Sequence, residues 1–301
     1  MIMEKFTLAT DSCCDEYKSN LEKMNIPYLP LSYMEDEHVY YDDFSSAEAY
    51  KSFYDDLMTG RLYKTAGANP YDTEVMLQDL IDTRKKDVVF VSLSSGLSGS
   101  FNVVKGVAEK LNQTNQNKIY VVDSKSATQG QRIILNLARK FRDDGIDAER
   151  ATQLLEEATK NLDVHFFVSD IDFLKRGGRI NPLQAMFGKL MQLRPMLKFD
   201  EEGKLNVIDK IIGTKKAIRY LAQKCIERYD PTSGFAVYIA HTCNMESVYE
   251  LKALLNKHFS DLNVIVGHIG PVVGSHTGPN ALGILFFKKP YKVPNTKGET
   301  C

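Results

Sequence analysis

Three apolar, β-branched runs in this chain end on pairs of small polar residues. Phe6–Thr10 stops at Asp11-Ser12, Asp87–Leu93 at Ser94-Ser95, and Lys118–Val122 at Asp123-Ser124. Amphipathic stretches lie between them, and strands that alternate with helical segments build parallel sheets. Runs this uniformly apolar are buried on both faces, which calls for helices on either side of the sheet. In an open parallel sheet, ligands sit beyond the carboxyl ends of the strands, so the three pairs are expected to face one crevice. Aspartate and serine also cap helices, and for the two Asp-Ser pairs capping is the simpler expectation.

The same reading extends along the chain. Tyr28–Tyr33 and His38–Tyr41 are expected strands, the first confined to an edge because Pro27 and Pro30 have no N–H to donate. Ser45 or Ser46 starts a helix that stops near Gly60. Asn69-Pro70 starts another, with Asn at the cap and Pro at the first helical position. The polar stretch Asp143 to Arg150 leads into a helix ending near Leu162, where the domain boundary is placed. The expected domains are residues 1–162 and 163–301. In the second, Val164–Val168 is a strand and Gly177-Gly178 a helix stop. Asn181–Leu193 is a Met-rich helix, and Met196–Phe199 with Lys204–Asp209 form a hairpin. A helix over Thr214–Tyr229, a strand over Phe235–Ala240, a helix over Glu246–Phe259 and strands Val264–His268 and Leu282–Phe287 follow. The hairpin forces antiparallel neighbours, so this sheet is mixed. The fold class is therefore α/β: a mainly parallel N-terminal sheet flanked by helices, then a second α/β domain with a mixed sheet.

Composition narrows the function classes. A formal net charge of -1 gives no global attraction to nucleic acid or to an anionic membrane. The most apolar stretch, Asn263 to Phe287, is interrupted by two His, two Pro and several Gly, so no stable membrane insertion is expected. The start, MIMEKFTLATD, lacks a signal-peptide layout, and a cytoplasmic location is expected. The five cysteines form no CxxC pair and match no zinc spacing, so neither a metal site nor a disulfide framework is indicated. Adjacent Cys13 and Cys14 suit either a redox pair or incidental buried thiols, the latter fitting a reduced compartment.

Three segments carry candidate chemistry. Ser94-Ser95-Gly96-Leu97-Ser98-Gly99-Ser100 joins a strand to a helix, where converging amides and the helix dipole favour an anion. It lacks the lysine of a phosphate-binding P-loop, so a nucleoside triphosphate is not indicated. His276 lies in the glycine-rich Gly274–Pro279, read as a turn, with hydroxyl neighbours. Lys175-Arg176-Gly177-Gly178-Arg179 sets three cations around a glycine pair, as a solvated helix end or as a docking patch for an anionic partner. Met186, Met191 and Met196 with Leu183, Phe187, Leu190 and Leu193 suit either an ordinary core or an adaptable apolar lining. From the residues alone, an anion-binding crevice is expected, held by an enzyme or by a carrier.

The ordered set Thr10-Asp11-Ser12, Pro30–Ser32, Tyr41–Asp43, Ser94–Ser100, Val121–Ala127, Leu174–Ile180 and Ile269–Pro279 resembles the DegV family of fatty-acid-binding subunits. The resemblance implies two α/β domains with one long-chain fatty acid between them and no other cofactor. Its carboxylate would be contacted by Thr65, Ser95 and His276, with Ser94 close by. It further implies a non-catalytic carrier that presents the carboxylate to a separate ATP-dependent fatty acid kinase and shields the acyl-phosphate product; a monomer is the default expectation, which nothing in the resemblance sets. Burying a carboxylate costs several kcal/mol unless it is hydrogen-bonded or paired, which hydroxyls and an imidazole supply. Thr65-Ala66-Gly67-Ala68 departs from the family's common Thr-Ser-Gln-Pro run. Ile212-Gly213-Thr214-Lys215 lacks the basic residues often found there, so kinase docking falls to Lys175, Arg176 and Arg179. Two competing readings remain: a small-molecule phosphotransfer enzyme using His276, and a lipid sensor without a kinase.

Overall fold

A computed structural model describes residues 4–43, 46–181 and 192–292. In chain order the first half contains β1 (Phe6–Asp11), α1 (Lys18–Lys23), β2 (Tyr28–Leu29), β3 (Ser32–Glu35), β4 (His38–Tyr41) and α2 (Ala47–Met58). It continues with β5 (Lys64–Ala66), α3 (Pro70–Arg84), β6 (Asp87–Ser92), α4 (Ser100–Asn112), β7 (Ile119–Asp123), α5 (Gln129–Asp143) and α6 (Ala148–Thr159). The second half contains β8 (Leu162–Phe167), α7 (Asp172–Arg176), β9 (Leu193–Phe199), β10 (Leu205–Ile212), α8 (Thr214–Arg228) and β11 (Val237–His241). It closes with α9 (Met245–Asn256), β12 (Val264–His268), α10 (Pro271–Thr277) and β13 (Leu282–Phe287).

The first sheet is parallel, in the order β2-β1-β6-β7. Every residue of β1 is buried, and so is all of β6 after its first, as their unbroken apolar character requires. β2 takes the edge, where the flanking prolines leave no ladder bond unmade. The expected single strand over Tyr28–Tyr33 is divided: Pro30 breaks it, and Ser32 onward joins a separate antiparallel sheet, β4-β3-β5. α3 begins as its start signal predicts, with Asn69 accepting from Tyr71 N–H and Asp72 N–H.

The second sheet is mixed, in the order β10-β9-β8-β13-β11-β12. The predicted hairpin is β9–β10, antiparallel and longer than its apolar pattern suggested. α5 packs against β1 and β6 of the first sheet and against β11 and β13 of the second. One hydrophobic cluster accordingly runs from Phe6 and Val91 through Ile134 and Phe141 to Leu197 and Leu285. The expected Met-rich helix, with Leu183, Met186, Phe187, Leu190 and Met191, lies outside the described residues; Leu193 and Met196 belong to β9. His276 is not in a turn. It occupies the last turn of the short helix α10, which the glycines around it had masked.

Candidate functional site

The polar pairs at the strand ends do not open onto a shared crevice. Asp11 is fully enclosed and accepts hydrogen bonds from Cys13 N–H, Leu93 N–H, the Ser92 hydroxyl and Gln131. Ser12 Oγ accepts from Leu31 N–H at 3.0 Å, and Asp123 Oδ1 from Ser95 N–H and Lys125 N–H. These side chains knit the connecting loops together, the capping role that short polar residues at strand ends commonly play.

The serine-glycine loop is likewise satisfied from within. Gly96 N–H donates to Ser94 Oγ, Leu97 and Ser98 N–H donate to Ser94 O, and Ser100 N–H donates to Ser98 Oγ. With those amides engaged, what the loop offers a ligand is hydroxyl groups. Ser94 donates its own hydroxyl to Gly203 O at 2.8 Å, tying the loop to the β9–β10 turn. Ser95 lies near the Lys125 ammonium, 3.4 Å from its Nζ. Neither Ser94 nor Ser95 lines the apolar cavity that separates the two sheets, whereas Ser98 does.

That cavity gathers Thr65 from β5, Ser98 from the loop, Arg179 and His276 at its polar end. Its remaining walls are largely aliphatic and aromatic, from Leu93, Leu174 and Val272 to Phe166, Phe199 and Leu285. Thr65 Oγ1 stands 2.8 Å from His276 Nε2, a contact between residues 211 positions apart. The small residues after Thr65 allow this approach: a Cβ placed on Gly67 would lie 2.9 Å from Ser100 Oγ and 3.4 Å from Ser98 Oγ. The departure Ala66-Gly67-Ala68 therefore presses β5 against the serine loop, and Ser100 Oγ accepts from Ala68 N–H.

His276 is fixed from two sides. Its helix is held at the start by two carboxylates of the first half: Asp15 accepts from Gly270 N–H at 3.0 Å and Asp42 from Val272 N–H at 3.4 Å. Tyr54 adds a hydroxyl bond to Ile269 O. On the other side Gly177 abuts the imidazole, and His276 Nδ1 is enclosed without a hydrogen-bond partner. Burial, and then the positive charge of Arg179, push the His276 pKa down to about 4, so the ring is neutral at physiological pH.

The three cations of the basic turn part company. Arg179 is partly buried, donating Nε–H to Leu97 O at 3.1 Å and Nη1–H to Gly177 O, and it borders the cavity. Lys175 pairs with Asp172 at 3.1 Å, and Arg176 lies over the Phe173 ring at 4.6 Å with its surface exposed. Ser98 and the inward turn of Arg179 were not singled out by sequence, since four serines crowd one aperiodic loop and nothing local gives the direction of an arginine. Cys13 and Cys14 are buried thiols whose pKa values burial raises, which makes them poor nucleophiles. Among the described residues there is no cluster of His, Cys, Asp and Glu able to hold a metal, and no helix long and apolar enough to cross a membrane.

A family described as "Uncharacterised protein, DegV family" matches residues 5–289. The chain belongs to the DegV family. It is 30% identical over 285 residues to a DegV domain-containing protein of Clostridium perfringens, covering 94% of this chain and 98% of that one. A Thermotoga maritima protein named "Fatty acid-binding protein" is 30% identical over 288 residues, covering 93% and 96%. The fold matches a crystal structure of DegV from Bacillus subtilis, described as a fatty acid binding protein, with a TM-score of 0.80 and 26% identity over 95% of this chain and 100% of that one. Family membership thus accounts for the overall α/β fold.

Proposed function

We propose that this chain is a carrier for one long-chain fatty acid, with the carboxylate at the polar end of the cavity and the tail along its apolar walls. The observation that carries this reading is the Thr65–His276 pair, set with Ser98 and Arg179 at one end of an otherwise apolar cavity. Hydroxyls and a neutral imidazole hydrogen-bond a carboxylate, and Arg179 adds the fixed opposite charge that offsets its desolvation. The fatty-acid-binding relatives support the same ligand class.

The carrier itself catalyses nothing in this reading. A separate ATP-dependent fatty acid kinase phosphorylates the presented carboxylate, and the acyl phosphate stays shielded from water in the same cavity. Lys175 and Arg176, on the outer side of the turn whose Arg179 faces inward, supply the cationic docking surface. The protein acts as a cytoplasmic monomer that picks up and returns its ligand by transient contact with membranes.

Native mass spectrometry of the purified protein, followed by solvent extraction, tests the central point. A one-to-one adduct that extracts as a long-chain fatty acid supports it, as does at least tenfold weaker uptake in Thr65→Val and His276→Ala, the order expected for losing charged hydrogen bonds of roughly 1.5–3 kcal/mol. No lipid, no uptake of oleate or palmitate and a stable mass gain from a phosphodonor would instead place a phosphotransfer enzyme at His276. Recovery of the kinase in a pull-down separates the kinase-coupled carrier from a lipid sensor.

A further inference from the structure

The cavity has a volume of about 90 Å³, well below the roughly 300–1,000 Å³ usual for small-molecule pockets. A long acyl chain therefore needs a wall that yields. Two residues, Val164 and Phe199, line both this cavity and a second hollow, a groove of about 1230 Å³ between the α4, α6 and β7 side of the first half and β8–β10 of the second. Val164 sits within β8, paired on one side with β13, and has little freedom to move. Phe199 is different. It ends β9, one residue past the last pairing of β9 with β8 at Lys198, and its own strand partner is Leu205 across the hairpin. Its ring is only partly buried and leans on Phe166 with centroids 6.2 Å apart.

We propose that Phe199 is the residue that sets acyl chain length, a partition between the small apolar cavity and the larger groove. The ring yields to the far end of a long chain, and how far it yields decides which chains are held. The proposal rests on the fatty-acid reading above. The turn beside it is tied to the first half by the Ser94–Gly203 bond, so the side chain moves rather than the hairpin. The groove beyond carries Val121 and Ile208 among charged residues, apolar surface that can receive a chain end.

The test is the fatty acid profile carried by wild type, Phe199→Ala, Phe199→Trp and Ile208→Ala made in the same host, together with competition between palmitate and arachidate. Phe199→Ala is expected to carry longer chains and to shift preference toward arachidate by roughly tenfold, the scale of methylene-sized changes in an apolar pocket. Phe199→Trp, which fills the same position, is expected to shift toward shorter chains. Ile208→Ala trims the groove that receives the chain end, and is expected to weaken carriage only of chains long enough to pass Phe199. Identical profiles in all four proteins, each loaded, overturn the partition while leaving the carrier reading intact. Absence of any fatty acid from wild type and variants, with no uptake, overturns the carrier reading and the partition with it.

Discussion

Gly177 lies so close to His276 that a Cβ built on it would come within 2.0 Å of the imidazole Nδ1. Gly177 has φ -72, an ordinary helical value, so the position is restricted by the ring beside it and not by backbone conformation. Gly177→Ala is expected to displace His276 from Thr65, costing about 1–3 kcal/mol through overpacking. Fatty acid affinity falls at least tenfold in the same variant. Thermal unfolding and titration with a fluorescent fatty acid check the two effects separately; unchanged affinity would dissociate His276 from ligand binding.

The depressed pKa of His276 predicts an acid-side loss of stability. In the unfolded chain the imidazole titrates near about 6.5, whereas in the folded protein it titrates at about 4. Between these values the unfolded state binds more protons, so stability falls as pH drops from about 6.5 toward 4. His241, also lowered to about 4 by burial and then by His268, adds to the slope with the same sign. Urea midpoints measured across this window decline in wild type and decline less steeply in His276→Gln.

The serines of the loop separate by function. Ser98→Ala removes a hydroxyl from the cavity and is expected to weaken fatty acid binding several-fold. Ser94→Ala instead frees the β9–β10 turn and leaves Gly96 N–H without its acceptor, lowering stability by about 1–3 kcal/mol, the net worth of two hydrogen bonds. Ser95→Ala decides between two placements of the head group: strong loss of binding would put the carboxylate beside Lys125, and retained binding puts it with Ser98 and Thr65.

Asp15 predicts the opposite pH sign. Burial, and next the charge of Asp42, raise its pKa well above the usual carboxylate range, while its Oδ1 is enclosed without a partner. A raised folded pKa contributes stability at low pH that is lost as pH rises. Asp15→Asn keeps an acceptor for Gly270 N–H and removes the buried charge, so its stability relative to wild type improves from pH 4.5 to pH 8. Asp15→Ala leaves that N–H unpaired at the start of α10 and costs about 1–3 kcal/mol at either pH.

Most strands and helices were legible because their signals are local. Asn69-Pro70, the apolar runs of β1 and β6 and the Gly177-Gly178 stop each act within a few residues, and family resemblance lay in short ordered motifs. α10 escaped because glycine, serine and threonine are weak helix formers; it stands because Asp15 and Asp42 bind its first amides. A cavity does lie beyond the carboxyl ends of β6 and β7, lined by Leu93, Ser98 and Thr128, but the polar pairs at the strand ends do not line it, for a related reason. Asp11 and Asp123 find partners on neighbouring loops whose proximity appears only after folding.

Sequence by itself determined the alternation of strands and helices, the parallel character of one sheet and the mixed character of the other, and the family. It also placed His276 as a candidate from its own segment, and Thr65 through that resemblance. Tertiary structure alone decided that these two side chains meet, that Ser98 and Arg179 face the same cavity, and that Phe199 stands between cavity and groove. The division is physical: periodicity and capping act over a few residues, whereas side-chain direction is set by packing against segments up to 211 positions away.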